Sequence, residues 1–304
     1  MQRGPTYRRA MRIASLLPAT TEITAALGRA DDLVAVTFEC DHPPGIRDRV
    51  PVVVRSALHE GMTPIEIDAC VRERAAAGLP MYALDREALR AAAPDVVVTQ
   101  DLCRVCALPG HTVTEALAEL GLDDVRVHSF DPHTLDGVLG GITALGMVLD
   151  ADAGALIADL HARLEAVATA LADRPRPRVL VLEWTDPPFL PGHWVPELVR
   201  RAGGEPVSGA DGGRSVAVPW AEIADGEAPD AVVVTPCGYG LDAACEQAAE
   251  VAGRLPGVPL VAIDSASYVV RAGPRLVDGI EALAHALHPD AVPAPPSGRV
   301  ARVA

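Results

Sequence analysis

The sequence contains no lysine and no asparagine. Its 26 basic side chains are therefore all arginine, which excludes Schiff-base and pyridoxal-phosphate lysines and the lysine of a phosphate-binding loop. Without asparagine there is neither an N-glycosylation acceptor nor a Cys-His-Asn triad. Positive charge is scarce: 41 acidic residues leave a net charge of −15, so the basic surface that a nucleic-acid partner needs is missing. No apolar run approaches the roughly 20 residues of a membrane span, which predicts no membrane insertion. No Gly-rich phosphate loop of the Rossmann type follows Arg12–Leu17 or Arg178–Glu183, the first strand of each half, which argues against a dinucleotide.

What is present describes a globular protein, 49% hydrophobic and 22% charged, whose 304 residues suit about two domains. The basic N-terminal stretch leads into a short apolar run, Ile13 to Leu17, which Pro18 and Glu22 interrupt. That pattern predicts no signal peptide, and hence a cytoplasmic protein with reduced cysteines.

Strand and helix signals alternate, the mark of α/β layers around mostly parallel sheets. Strands are expected at Arg12–Leu17, Leu33–Phe38, Val96–Thr99 and Val125–Ser129, then at Arg178–Glu183, Ala231–Thr235 and Leu260–Ile263. The halves echo each other: Ala93-Pro94-Asp95 followed by Val96–Thr99 returns as Ala228-Pro229-Asp230 followed by Ala231–Thr235. Each copy has an acid seven positions before its proline, Glu87 or Glu222, and runs on to a cysteine, Cys103 or Cys237. Between the copies, residues 151–173 carry apolar residues at helical spacing and stop at Arg174-Pro175-Arg176-Pro177. The expected organisation is an N-terminal lobe over 1–150, a linker helix over 151–173, a C-terminal lobe over 174–290, and a disordered Pro/Ala-rich tail over 291–304.

Two Rossmann-like lobes joined by one long helix resemble the helical-backbone class of ABC-transporter substrate-binding proteins. The likeness covers about Arg12 to Pro289. It is carried by Ala14–Glu22, Asp41-His42-Pro43-Pro44 and the two Pro-Asp-strand repeats. Five further phrases are similar to the cobalamin-binding group related to the vitamin B12-binding protein. They are Glu39-Cys40-Asp41, Thr99–Cys106, Leu182-Glu183-Trp184, Gly192–Glu197 and Arg271–Arg275. The resemblance implies a small-molecule ligand, a corrinoid among the candidates, held in a cleft between the lobes. It also places Glu87 and Glu222 where transport members present acids to a transporter.

Ligands of open α/β sheets lie beyond the carboxyl ends of the strands. Cys40, Cys103, Cys106 and Cys237 all follow predicted strands, and Cys103-x-x-Cys106 has the spacing of a metal-ligand pair. These four thiols are expected to hold zinc or an iron–sulfur cluster, whereas Cys70 and Cys245, in helical stretches, are expected to pack as small apolar residues. Ligand contacts are expected from Glu39, His42, Arg55, Asp101, His193 and Arg271, with Trp184 and Trp194 as stacking faces. Arg275, like Arg271, could offer forked donors to a ligand carboxylate or phosphate, with an ion pair to Asp278 as its alternative. The resulting expectation is a cytoplasmic binding protein with a cysteine-ligated centre. Its alternatives are an enzyme using that centre, and an exported transport component for cobalamin or a metal chelate.

Overall fold

The computed structural model describes residues 11–59, 62–101 and 110–303. Its contacts divide the chain into two compact units, the first holding 1–60, 71–131 and 144–152, the second 61–70, 132–143 and 153–304.

The first unit is built on six strands. They are β1 (Ile13–Ser15), β2 (Leu33–Thr37), β3 (Val52–Ser56), β4 (Tyr82–Leu84), β5 (Val96–Thr99) and β6 (Arg126–Ser129). Their order is β4-β3-β2-β1-β5-β6, and every neighbouring pair is parallel except the antiparallel edge pair β3–β4. Helices α1 (Pro18–Ala26), α2 (Ile46–Arg49), α4 (Arg86–Ala92) and α5 (Gly110–Glu119) alternate with these strands. The helices α3 (Pro64–Ala76) and α6 (Leu135–Val148) each have residues in both units. One core of this unit gathers Ala14, Leu16, Ala35, Val53, Leu89, Val97, Val113 and Leu117. Near-continuous apolar strands such as Val96–Thr99, buried along their whole length, are what a sheet covered on both faces requires.

The second unit repeats the scheme with β7 (Arg178–Leu182), β10 (Glu205–Pro206), β12 (Ala231–Val234), β13 (Leu260–Ile263) and β14 (Val300–Arg302) in the order β10-β7-β12-β13-β14. A small antiparallel sheet of β8 (Trp184–Thr185), β9 (Pro188–Leu190) and β11 (Val216–Ala217) stands beside it. The helices are α7 (Gly154–Ala170), α8 (Val195–Arg201), α9 (Trp220–Asp225), α10 (Leu241–Ala252), α11 (Ser265–Tyr268) and α12 (Arg275–Leu287). Leu180, Leu182, Val232 and Val234 pack on α10, whereas Val181 and Val233 face Leu198, Val199 and Leu283 on the other side.

The echo between the halves has a structural cause. Asp95 accepts the backbone N–H of Arg12 at 2.9 Å and returns its own N–H to the Arg12 carbonyl at 2.8 Å. Asp230 does the same with Arg178, at 2.7 and 2.8 Å. Each Pro-Asp turn thus pins the first strand of its unit to the neighbouring strand at their amino ends, which aligns the carboxyl ends where a ligand would sit. Arg12 and Arg178 complete the repeat by donating their guanidinium N–H groups to the carbonyls of Ala92 and Ala228.

Two expectations of organisation change. The helix expected to join the lobes, α7, lies wholly in the second unit, where Arg163 binds Asp278 and Glu281 of α12 at 2.5–2.8 Å; the division between units falls within α3 and α6. The Pro/Ala-rich segment expected to be disordered ends in β14, antiparallel to β13, with Val292 buried and Arg299 held at 3.2 Å from Asp278. Asp278 binds Arg163 and Arg299, and Arg275 lies over the Tyr268 ring with its Cζ 5.5 Å from the centroid.

Candidate functional site

Strand order reverses between β7 and β12, which is where ligands of such sheets bind. Glu183 follows β7 at that point, and its carbonyl accepts the N–H of Cys237, which follows β12, at 3.0 Å. The Glu183 side chain is 6% exposed. One carboxylate oxygen accepts the Gly192 N–H at 3.2 Å and the other the Ser215 hydroxyl. Burial outweighs both hydrogen bonds, which favour the anion, and pushes the carboxyl up to about 7. Glu183 therefore fastens two loops, 191–194 and 213–215, to the end of the parallel sheet. They pass so closely that a Cβ on Gly192 would stand 2.6 Å from the carbonyl carbon of Arg214, a contact only glycine avoids.

The fastened loops present side chains. Trp184, half-buried, donates its indole N–H to the Asp186 carbonyl at 3.1 Å and lies 5.7 Å, centroid to centroid, from Tyr239. The Tyr239 hydroxyl is buried and has no hydrogen-bond partner among the described residues. His193 takes a left-handed backbone, φ 50°, and its half-buried ring lies 6.0 Å from His133. Burial, then His133 and Arg214, lower its pKa, so the imidazole is neutral at pH 7.

In the first unit the strand order reverses between β1 and β5. Ser15, Thr20 and Thr21 form a buried hydroxyl network there, and Thr21 Oγ1 lies 3.0 Å from the Cys40 thiol. Glu39 and His42 are half-buried after β2, and Arg55 is an exposed residue of β3.

A model of the periplasmic binding protein family matches residues 13–252. The chain belongs to that family. No curated protein matches the sequence. A periplasmic heme-binding protein from Pseudomonas aeruginosa is 23% identical, with a TM-score of 0.67 over 96% of this chain and 97% of that one. A possible iron-binding periplasmic protein from Staphylococcus epidermidis is 17% identical, with a TM-score of 0.67 over 92% and 100%. The periplasmic vitamin B12-binding protein of Vibrio cholerae is 21% identical, with a TM-score of 0.60 over 91% and 96%. At these identities the likeness is one of fold.

Membership of a periplasmic binding protein family overturns the expectation of a cytoplasmic protein with a cysteine-ligated centre. The side chains give the physical reason. Cys40 is 0% exposed and turned onto Thr21 inside its own unit, and no cluster of three or more His, Cys, Asp or Glu among the described residues suits a metal ion. Cys237 is exposed at the carboxyl end of β12, and Cys103 and Cys106 lie outside the described residues. No helix among the described residues is long and apolar enough to cross a membrane.

The other expected site residues of this periplasmic binding protein separate into two kinds. Trp194 is buried and donates its indole N–H to the Val269 carbonyl at 2.7 Å, so it packs α8 and offers no stacking face. Asp101 accepts the Gly110 N–H at 2.8 Å and the Ser129 hydroxyl at 3.0 Å, which places its carboxylate at the start of α5. Trp184 and His193 stay at the carboxyl face of their sheet, and Arg271 is half-buried in the turn between α11 and α12. Sequence reasoning missed Tyr239, Ser215 and His133. Only Tyr239, two residues beyond the expected ligand Cys237, carried a positional signal.

Proposed function

We propose that this chain is the exported ligand-capturing component of an ABC import system, and that its ligand is a metal tetrapyrrole of the heme or corrinoid type. The family match over residues 13–252 carries the first part. Support for the ligand class comes from the Trp184–Tyr239 pair at the strand-order reversal of the second unit, an aromatic face beside a partnerless buried hydroxyl. Neighbours of this fold that bind heme and vitamin B12 add to it. Arg271, half-buried in the turn between α11 and α12, is the donor for a peripheral carboxylate of the ligand.

The test is titration of the purified protein with hemin and with cyanocobalamin, followed by tryptophan quenching and the ligand's visible spectrum. One of them is expected to bind at one equivalent, with Trp184→Ala weakening it about tenfold or more. If neither quenches nor shifts, the ligand class is wrong.

Docking to a transporter is assigned to Glu87 and Glu222, exposed acids in the first turns of α4 and α9. Arginine at both positions is expected to leave ligand affinity unchanged and to abolish stimulation of the cognate transporter's ATPase. Full stimulation by the double variant would remove these acids from the interface.

A further inference from the structure

Two histidines of the second unit are brought together from distant parts of the chain. His133 is exposed in the turn before α6, and His193 precedes α8. Their ring centroids are 6.0 Å apart and their planes are inclined by 42°. Metal–nitrogen bonds of about 2.1 Å, plus about 1.1 Å from each nitrogen to its ring centre, put two imidazoles on one ion with centroids about 5.2 Å apart at a tetrahedral angle and about 6.4 Å apart at a linear one, so a rotation of the exposed His133 ring brings the pair into chelating range.

We propose that His133 and His193 bind one divalent first-row transition-metal ion of the Ni²⁺, Cu²⁺ or Zn²⁺ class through two imidazole nitrogens, leaving the other coordination positions to water or to a donor atom of a ligand. Both backbones are held in advance by the same neighbourhood. The left-handed backbone of His193, φ 50°, is strained in a residue other than glycine. It is imposed by two hydrogen bonds to one turn, His193 N–H to the Gly213 carbonyl at 2.6 Å and Gly212 N–H to the His193 carbonyl at 2.9 Å. A Cβ on Gly212 would touch the His133 Cβ at 3.8 Å, so this turn flanks both histidines. His133 is fixed through the next two residues: Thr134 accepts the Gly137 N–H at 3.0 Å, and Glu197 of α8 accepts the Leu135 N–H at 2.9 Å. Imidazole donors favour nickel, copper and zinc over calcium and magnesium.

This site goes beyond the tetrapyrrole reading and is tested without any organic ligand, so the two stand or fall separately. Ni²⁺ is titrated calorimetrically into protein carrying no affinity tag. One equivalent is expected to bind. His133→Ala, at an exposed position, and His193→Asn, whose side chain tolerates the left-handed backbone, are each expected to weaken binding at least tenfold. The double variant should be no weaker than the singles, because either change already destroys the chelate. His161→Ala on the exposed face of α7, Cys103→Ser and Cys106→Ser are expected to bind as wild type does. Absence of Ni²⁺ binding, wild-type affinity in both His133→Ala and His193→Asn, or loss of binding in the cysteine variants instead would overturn the proposal.

Discussion

Glu183→Gln is expected to stabilise the second unit at pH 8 and to remove a loss of stability that the wild type suffers between about pH 4.5 and 7. The carboxyl is raised from its ordinary 4.5 to about 7 because the folded chain buries it. Below 4.5 the folded and unfolded chains both carry the proton, and the stabilisation is complete. Between 4.5 and 7 the unfolded chain has released the proton while the fold still holds it, so each rise in pH favours unfolding. Above 7 both are ionised and the loss is complete, at about 3 kcal/mol for a gap of this size. Glutamine keeps a carbonyl for the Gly192 N–H and an amide for the Ser215 hydroxyl without the charge. Chemical denaturation at pH 8 should therefore show the variant more stable by about 2–3 kcal/mol, with a melting temperature higher by roughly 4–10 °C. The difference should vanish near pH 5. His193 titrates in the opposite sense: its lowered pKa gives stability that is lost as pH falls through the folded value, but it does so in both proteins and cancels in the comparison. A variant less stable than wild type at pH 8 would mean that the two loops need the ionised carboxylate, and that burial is not what governs Glu183.

The sequence disclosed what local chemistry determines. Buried parallel strands read as short apolar runs, and the Ala-Pro-Asp turns marked their amino ends in both halves. The fold class and the position of the switch-point loops followed. What stayed hidden depends on partners far away in sequence. Val300–Arg302 looks like tail until it pairs with Val261–Ile263, and Asp278 is claimed by Arg163 and Arg299, which lie 115 and 21 positions from it. Strand β3 was missed although Val52-Val53-Val54 is apolar, because the preceding Pro51 and following Arg55 broke the run.

Site residues failed for a related reason, since the order along a loop does not tell which way a side chain turns. Cys40 and His42 are two residues apart, yet Cys40 is sealed onto Thr21 while His42 is half-buried on the same loop. Trp184 and Trp194 looked equivalent, but Trp194 stands at the start of α8 and turns its indole into the unit toward Val269. The family match overturns the cytoplasmic expectation that the N-terminal composition suggests.

Gly279→Ala is expected to destabilise the second unit by about 1–2 kcal/mol, against the direction that helix propensity gives. Gly279 lies within α12, Arg275–Leu287, where alanine would by itself be favoured by about 1 kcal/mol. A Cβ there would collide with the Tyr268 carbonyl oxygen and stand 3.1 Å from its carbonyl carbon and 3.2 Å from its Cβ. Most of the obstacle is backbone, so α11 or α12 must move as a whole, and overpacking of this kind costs typically about 1–3 kcal/mol or more. Movement would also lift the Tyr268 ring from Arg275 and from Arg299, whose Cζ lies 5.1 Å from its centroid, and loosen the Asp278 and Glu281 anchors of Arg163. Gly140 is the control: it is an exposed glycine of α6 where an added methyl would have nothing within 4 Å, so Gly140→Ala should stabilise by up to about 1 kcal/mol. Urea unfolding of the two variants separates the effects, since both gain the same propensity and only one meets a wall. Equal stabilisation of both would show that α11 yields to α12 without cost, and that the close approach at Tyr268 does not hold the turn carrying Arg271 in place.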